Sequence, residues 1–259
     1  MNNKKIFNFL QKLPFELNKQ YSKLSKLKIK AQNKSSNKNY FNPVTNFDKS
    51  FEKYIRKLIE GKFPKDSISG EEFKKKSTSN EYEWVIDPID GTKRFINKES
   101  TWSNLIGLIY RKKPKMGLAN FPALKRYYIN NEKNSFLIKN NKKKLLKTSQ
   151  KKDFKKINLI LNFYGNKTSS KEKKIFKFFC QNLLSQKFDS FNYCLLAEGK
   201  IDAVIETNLK SYDIVALVPI IEKAGGYVTN WKNQSPINGG NILASSNKYI
   251  HNKILKILK

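Results

Sequence analysis

The stretch 84-WVIDPIDGTKRF-95 places two aspartates, Asp87 and Asp90, three positions apart behind an apolar run. The whole chain holds 52 Lys and Arg against 21 Asp and Glu, so acids this close together stand out. Trp84, Val85 and Ile86 read as strand residues, and Pro88 stops the ladder and stiffens the turn. Asp87 and Asp90 therefore fall at a strand end, where α/β active sites commonly form. Gly91 permits close backbone approach. Thr92 offers a hydroxyl and an amide at the first turn of a short helix, and free amides there receive anions such as phosphate. Two carboxylates beside a phosphate cradle ask for Mg²⁺, a hard cation that takes oxygen ligands and bridges to substrate phosphate. An acidic surface turn would read the same way, so the other acids have to decide.

Those acids lie beside glycines or at element ends. Glu71 and Glu72 follow Gly70 in 69-SGEEF-73, and Asp213 sits in the first turn of a helix opened by Ser211. Around them the chain alternates. A basic amphipathic helix is expected over 5–33, broken or kinked at Pro14, then a polar loop over 33–42. A second helix carries Phe51, Tyr54, Ile55, Leu58 and Ile59 on one face, with Asp48 near its start. A loop at 61–68 leads to Gly70. Strands are expected at 83–86, 101–110, 116–120, 126–130, 136–138 and 144–147, with a turn at Lys113-Pro114.

Composition shifts after that. A strand at 157–162 and the turn 165-GNKTSS-170 precede a helix opened by a Ser169/Glu172 capping box. A short strand at 188–190, a helix at 192–198 stopped by Gly199 and a strand at 201–206 follow. The helix 212-YDIVALVPIIEKA-224 should kink near Val215, because Pro219 removes a backbone bond. Strands at 227–230 and 242–245 and a helix from Lys248 finish the chain. The reading is an α+β half over 1–147, holding GEE and DPIDGT, and an α/β half over 148–259, holding Asp213.

At 259 residues and 39% apolar, the chain is long enough for a real core. Two cysteines, Cys180 and Cys194, make no disulfide framework and are expected in the core of a cytoplasmic protein. Gln11 and Lys12 interrupt the first apolar stretch too early for a signal peptide. No run approaches the roughly 18 apolar residues of a membrane span. The net charge of +31 is spread along the chain, with no RNP-type, helix-turn-helix or zinc-finger pattern. Specific nucleic-acid binding is therefore not expected, although the charge can steer anionic substrates inward. His251, the lone histidine, is expected at the surface.

GEE at 70–72, WVIDPIDGT at 84–92 and YDIVALVPIIEKAGG at 212–226, in that order and spacing, resemble the inositol monophosphatase family of Mg²⁺-dependent, lithium-sensitive phosphatases. The likeness runs from 43-PVTNFD-48 to the C-terminus. It implies a layered αβαβα sandwich and, commonly, a homodimer. It implies two Mg²⁺, or three, held by Glu71, Asp87, the Ile89 carbonyl, Asp90 and Asp213. Gly91 and Thr92 would hold phosphate, Glu71 and Thr92 would aim the attacking water, and Asp48 would lie near the metals. Glu206 matches a position that contacts the substrate's leaving group. Tyr212 stands where many members have Trp.

Within the family, 101-TWSNLIGL-108 and 209-LKSYD-213 look most like the histidinol-phosphatase branch, with Ser211 in place of the usual proline. The expected substrate is thus a small phosphorylated metabolite, L-histidinol phosphate, in histidine biosynthesis. Inositol 1-phosphate or another sugar phosphate is the alternative. A basic, non-catalytic nucleic-acid-binding protein is the remote one, opposed by the full set of acids.

Overall fold

The computed structural model describes residues 2–34, 43–163, 169–185 and 187–258. Most of the expected 33–42 loop and of the 165–170 turn lie outside these residues. The chain begins α1 (Asn3–Leu24), β1 (Ala31–Asn33), β2 (Pro43–Thr45), α2 (Asn46–Lys62), β3 (Ser67–Gly70), β4 (Tyr82–Asp90) and α3 (Thr92–Ile96). Five strands follow: β5 (Ser103–Tyr110), β6 (Lys113–Phe121), β7 (Arg126–Asn130), β8 (Ser135–Lys139) and β9 (Lys142–Leu145). Then come β10 (Leu159–Asn162), α4 (Ser170–Phe179), α5 (Ser190–Ala197), β11 (Ala203–Leu209), α6 (Ser211–Ile214) and α7 (Leu217–Glu222). The described chain ends with β12 (Tyr227–Asn230), β13 (Gly240–Ser245) and α8 (Lys248–Leu258).

Strands β3 to β9 form one seven-stranded sheet in chain order, and β10-β11-β13-β12 form a second sheet of four. Period-two alternation then builds layers. Trp84, Ile86, Leu108 and Leu118 face α1 and α2, packing on Ile6, Leu10, Leu13, Leu17, Phe51 and Ile55. Leu105, Ala119, Phe121 and Tyr128 face the other way, onto α5 and α7, which also receive Ile160, Val204, Ile242 and Ala244 of the second sheet. That sheet's outer residues, Leu159, Leu161, Ala203 and Leu243, pack on Ile175, Phe179, Ile250 and Ile254 of α4 and α8. The result is the expected αβαβα sandwich.

Pro14 does not break α1. An interior proline costs about 3 kcal/mol, but burying Ile6, Leu10, Leu13 and Leu17 contributes about 1.5–3 kcal/mol each. The helix stops at Leu24 rather than 33. Lys30 exchanges hydrogen bonds with Asn46, and 31–33 pairs with β2. The predicted kink is present: α6 and α7 are separated at Val215–Ala216, four and three residues before Pro219.

Five further expectations need correction. The turn between β5 and β6 is Arg111-Lys112, with φ 50° and 59°, so the following strand begins at Lys113. Such double left-handed turns match sheet twist, and here two basic residues take the conformation that Asn and Gly usually supply. Residues 188–190 form no strand, because Ser190 already begins α5. Residues 67 and 68, expected as the end of the 61–68 loop, pair with β4 together with Ser69 and Gly70 as the strand β3. His251 is buried, with Thr229 Oγ1 3.0 Å from Nε2 and Ser245 Oγ 3.1 Å from Nδ1. Cys180 is exposed, leaving Cys194 as the core cysteine.

Candidate active site

β3 runs parallel to β4 and pairs Gly70 with Ile86, and the Glu71 amide extends this to the Ile86 carbonyl at 3.2 Å. Glu71 therefore arrives beside Asp87. Opposite, β5 pairs Asp87 with Leu105 and Asp90 with Ser103, so β4 carries one residue more than its partner. Bulges of this kind re-aim side chains and are common beside active sites. Asn104 Nδ2 donates to the Pro88 carbonyl at 2.6 Å, and the Ile89 amide donates to Asp87 Oδ1 at 3.1 Å. Gly91 then takes φ 78°, a left-handed turn that leads straight into α3.

Asp213 comes from the other half of the chain. Val85, Gly107 and Gly117 lie in one row across β4, β5 and β6. A Cβ on Gly107 would come within 2.7 Å of Val215, and one on Gly117 within 1.8 Å of the Ala216 carbonyl oxygen. The glycines thus let the α6–α7 break rest on the sheet. Asp213, two residues earlier, meets Asp87, two residues past Val85.

The acids form two groups whose ligand oxygens all lie within 4.8 Å of one another: Asp87, Asp90 and Asp213; and Asp48, Glu71 and Glu72. Asp48 sits in the first turn of α2, in a capping box with Thr45, and Thr92 Oγ1 lies 3.3 Å from its Oδ1 and 3.0 Å from the Ile89 carbonyl oxygen.

Residues 8–259 match the inositol monophosphatase family. The chain belongs to this family.

It is therefore a phosphatase of a metal-dependent family. It is 33% identical over 241 residues to the chloroplastic bifunctional phosphatase IMPL2 of Arabidopsis thaliana, covering 86% of this chain and 67% of that one. It is 27% identical over 217 residues to a histidinol-phosphatase of Mycobacterium tuberculosis, covering 82% and 83%. An inositol monophosphatase structure from Zymomonas mobilis superposes with a TM-score of 0.80 at 25% identity, covering 100% and 99%.

The donor chemistry of this phosphatase fits a hard cation. All six side-chain donors are carboxylates. Among the described residues, Asp87, Asp90 and Asp213 have no ion pair, while Lys34 Nζ reaches Glu71 at 2.9 Å and also contacts Glu72. Burial, with repulsion from Glu71, Asp90 and Asp213, drives Asp87 well above the usual carboxylate range. Burial and Asp189 do the same to Asp90. Glu71 and Asp213 are each raised to about 7, again chiefly by burial, against the opposing pull of Lys34 and of the Lys210 amide. Asp48 is raised by burial despite its bonds to Thr45. A divalent cation would relieve this crowding by favouring the charged carboxylates.

Glu206 lies on the inner face of β11, level with Asn162 of β10. Its oxygens accept from Asn162 Nδ2 at 3.1 Å and Tyr193 hydroxyl at 2.5 Å, and burial raises it to about 8. A second bulge follows it, between Glu206 and Leu209. Trp102, from the TW pair, packs instead on Phe95, Tyr21 and Phe51 in the core.

Two residues here escaped the sequence reading, and a third, Glu72, was named there within GEE but given no role. Glu72 belongs to the second acid group. Asp189 is bonded to Arg94 Nε at 2.8 Å and faces Gly91. Glu52 is fully buried behind the GEE turn. No local motif marks the last two.

Proposed function

We propose that the protein is a Mg²⁺-dependent phosphomonoesterase that cleaves L-histidinol phosphate to L-histidinol and phosphate. The observation that carries the reaction is the trio Asp87, Asp90 and Asp213, assembled from distant segments beside the Gly91–Thr92 turn and without an ion pair among the described residues. Asp87, the Ile89 carbonyl, Asp90, Asp213 and Glu71 are the residues that would hold Mg²⁺, with Glu72 and Asp48 alongside Glu71. The Ile89 oxygen keeps a second lone pair beyond its bond to Thr92. Bound Mg²⁺ supplies Lewis acidity toward phosphate and makes water a competent nucleophile at neutral pH.

The side chains do the rest. Thr92 has one hydroxyl proton, which it directs to the Ile89 carbonyl or to Asp48, so its lone pairs remain to accept from the attacking water. Glu71 takes the water's other hydrogen. Gly91 and the Thr92 amide receive phosphate oxygens. No imidazole takes part, since His251 is buried between Thr229 and Ser245.

The acidic surroundings of Glu206 support the substrate. Asp189 and Asp90 both add their repulsion there, and a cluster of acids of this sign suits a leaving group that carries an ammonium. The amine would also draw Glu206 down from about 8 into its charged form. The kinship with the Mycobacterium tuberculosis histidinol-phosphatase agrees. Inositol 1-phosphate is the second reading, favoured by likeness to the Zymomonas mobilis structure. Phosphate release with Mg²⁺ from L-histidinol phosphate and inositol 1-phosphate, at matched concentrations, tests the choice. The expected result is a preference of about tenfold or more for the amine, the scale of one hydrogen bond to a charged group. Equal rates would contradict this substrate and leave the phosphatase reaction standing.

A further inference from the structure

We infer that Glu52 is a positioning residue for the cation site: its buried carboxylate holds the 70–73 turn in the shape that presents Glu71 and Glu72, and divalent-cation affinity depends on it. The inference rests on the metal reading above. Glu52 lies in α2, 0% exposed. Oε2 accepts the Glu72 amide at 2.6 Å, and Oε1 accepts the Phe73 amide at 3.3 Å and Arg56 Nε at 2.8 Å. Arg56 also donates through Nη2 to the Phe73 carbonyl at 3.2 Å. Carboxylate and guanidinium together thus grip both the amide and the carbonyl of Phe73.

A carboxylate this deep persists only with full hydrogen bonding. Two of its three partners are turn amides, so the charge that needs them also fixes the turn. The glycine of GEE follows from the same contact. A Cβ on Gly70 would stand 2.2 Å from Glu52 Oε1, so a side chain there would push the brace away. Asp48, Glu52 and Arg56 are spaced four apart along α2 and share one face. One helix stripe therefore carries a member of the Asp48–Glu71–Glu72 group and the support for the other two.

Two further features of the turn fit this role. Glu52 touches no residue of the Asp87–Asp90–Asp213 trio through any hydrogen bond among the described residues, so its influence enters through Glu71 and Glu72. Its carboxylate belongs to neither of the two acid groups whose ligand oxygens converge, its oxygens instead accepting from the turn and from Arg56.

The test is calorimetric Mg²⁺ binding to the metal-free protein, with thermal unfolding in chelator alongside. Loss of an outer partner of a ligand typically weakens metal binding about 10–100-fold. Glu52→Gln keeps one acceptor and is expected to weaken Mg²⁺ by about tenfold, and Glu52→Ala by closer to 100-fold. Phosphate release by Glu52→Gln should recover at high Mg²⁺. Ile254→Ala, in the remote outer core, is the control that lowers stability and leaves Mg²⁺ affinity unchanged. If Glu52→Ala does not fold, Arg56→Gln frees the brace while keeping the carboxylate, and several-fold weaker Mg²⁺ binding is expected. Wild-type affinity in the folded Glu52 and Arg56 variants overturns the inference alone. Weakened affinity in Ile254→Ala to the same extent also overturns it, since the effect would then be one of stability. If the wild type binds no Mg²⁺, the metal reading falls and this inference with it.

Discussion

The Ser190 amide donates to Asp90 Oδ2 at 2.9 Å, fastening the start of α5 to the bulge of β4. Ser190 Oγ adds a bond to Ser103 Oγ at 2.8 Å. One turn further along α5, Tyr193 holds Glu206. The proposed cation site and Glu206, the proposed substrate contact, are therefore joined by a single short helix. Glu206→Gln keeps the shape of this unit and removes its charge. The expected outcome is a fall of about 10–100-fold in kcat/KM for L-histidinol phosphate, the scale of a lost hydrogen bond to a charged group. Activity on inositol 1-phosphate should fall less. Steady-state kinetics on both substrates check this.

Stability should depend on pH in a direction set by the crowded acids. Glu71 and Asp213 are raised from ordinary values of 4.5 and 3.8 to about 7, and Glu206 from 4.5 to about 8. The folded state binds more protons than the unfolded one in that window. Its stability is thus full below about pH 4 on these groups' account and is lost as pH rises through 7 to 8. Thermal unfolding in chelator should show Tm falling between about pH 5 and 8. Added Mg²⁺ should reverse the slope, because cation binding needs the deprotonated acids. A Tm that rises with pH in chelator would contradict the electrostatic account.

Gly117→Ala should be among the most damaging small substitutions. Its Cβ would meet the Ala216 carbonyl oxygen at 1.8 Å, a backbone atom that cannot rotate away. Overpacking typically costs about 1–3 kcal/mol, and the upper end is expected here. Asp213 would shift with the displaced break, so Mg²⁺ affinity should fall as well. Denaturant unfolding and calorimetry measure the two effects.

How much of this was legible in the sequence depended on locality. Asp87, Asp90, Gly91 and Thr92 are adjacent in the chain, and proline and glycine state their geometry. Asp213 was readable because the helix around it carries its own pattern and Pro219 marks its break. Glu52 was not, since it looks like any exposed acid on an amphipathic helix until the GEE turn is folded against it. β3 is too short to show a period, and only its pairing with β4 makes it a strand. His251 was misjudged because one residue near a chain end says nothing about Thr229 and Ser245 closing over it. Trp102 was read for the family branch it resembles, and in the fold it contributes to the core.

The cysteines offer a direct check on the packing. Cys180 is exposed and Cys194 is buried, with burial raising its thiol well above the usual range. Thiolate is the reactive form, so a maleimide should label one site in the native protein and two after denaturation. Native labelling of Cys194 would contradict the layer formed by α5.

The central claim is that Asp87, Asp90 and Asp213 form a cation site serving phosphate-ester hydrolysis. The measurement that tests it most directly is phosphate release from L-histidinol phosphate by purified protein, with Mg²⁺ and with chelator, for wild type and Asp90→Asn. The account predicts release that requires Mg²⁺ and falls by more than about 100-fold in Asp90→Asn, beyond what loss of an outer partner costs. Release that persists in chelator, or an Asp90→Asn protein as active as wild type, would contradict it.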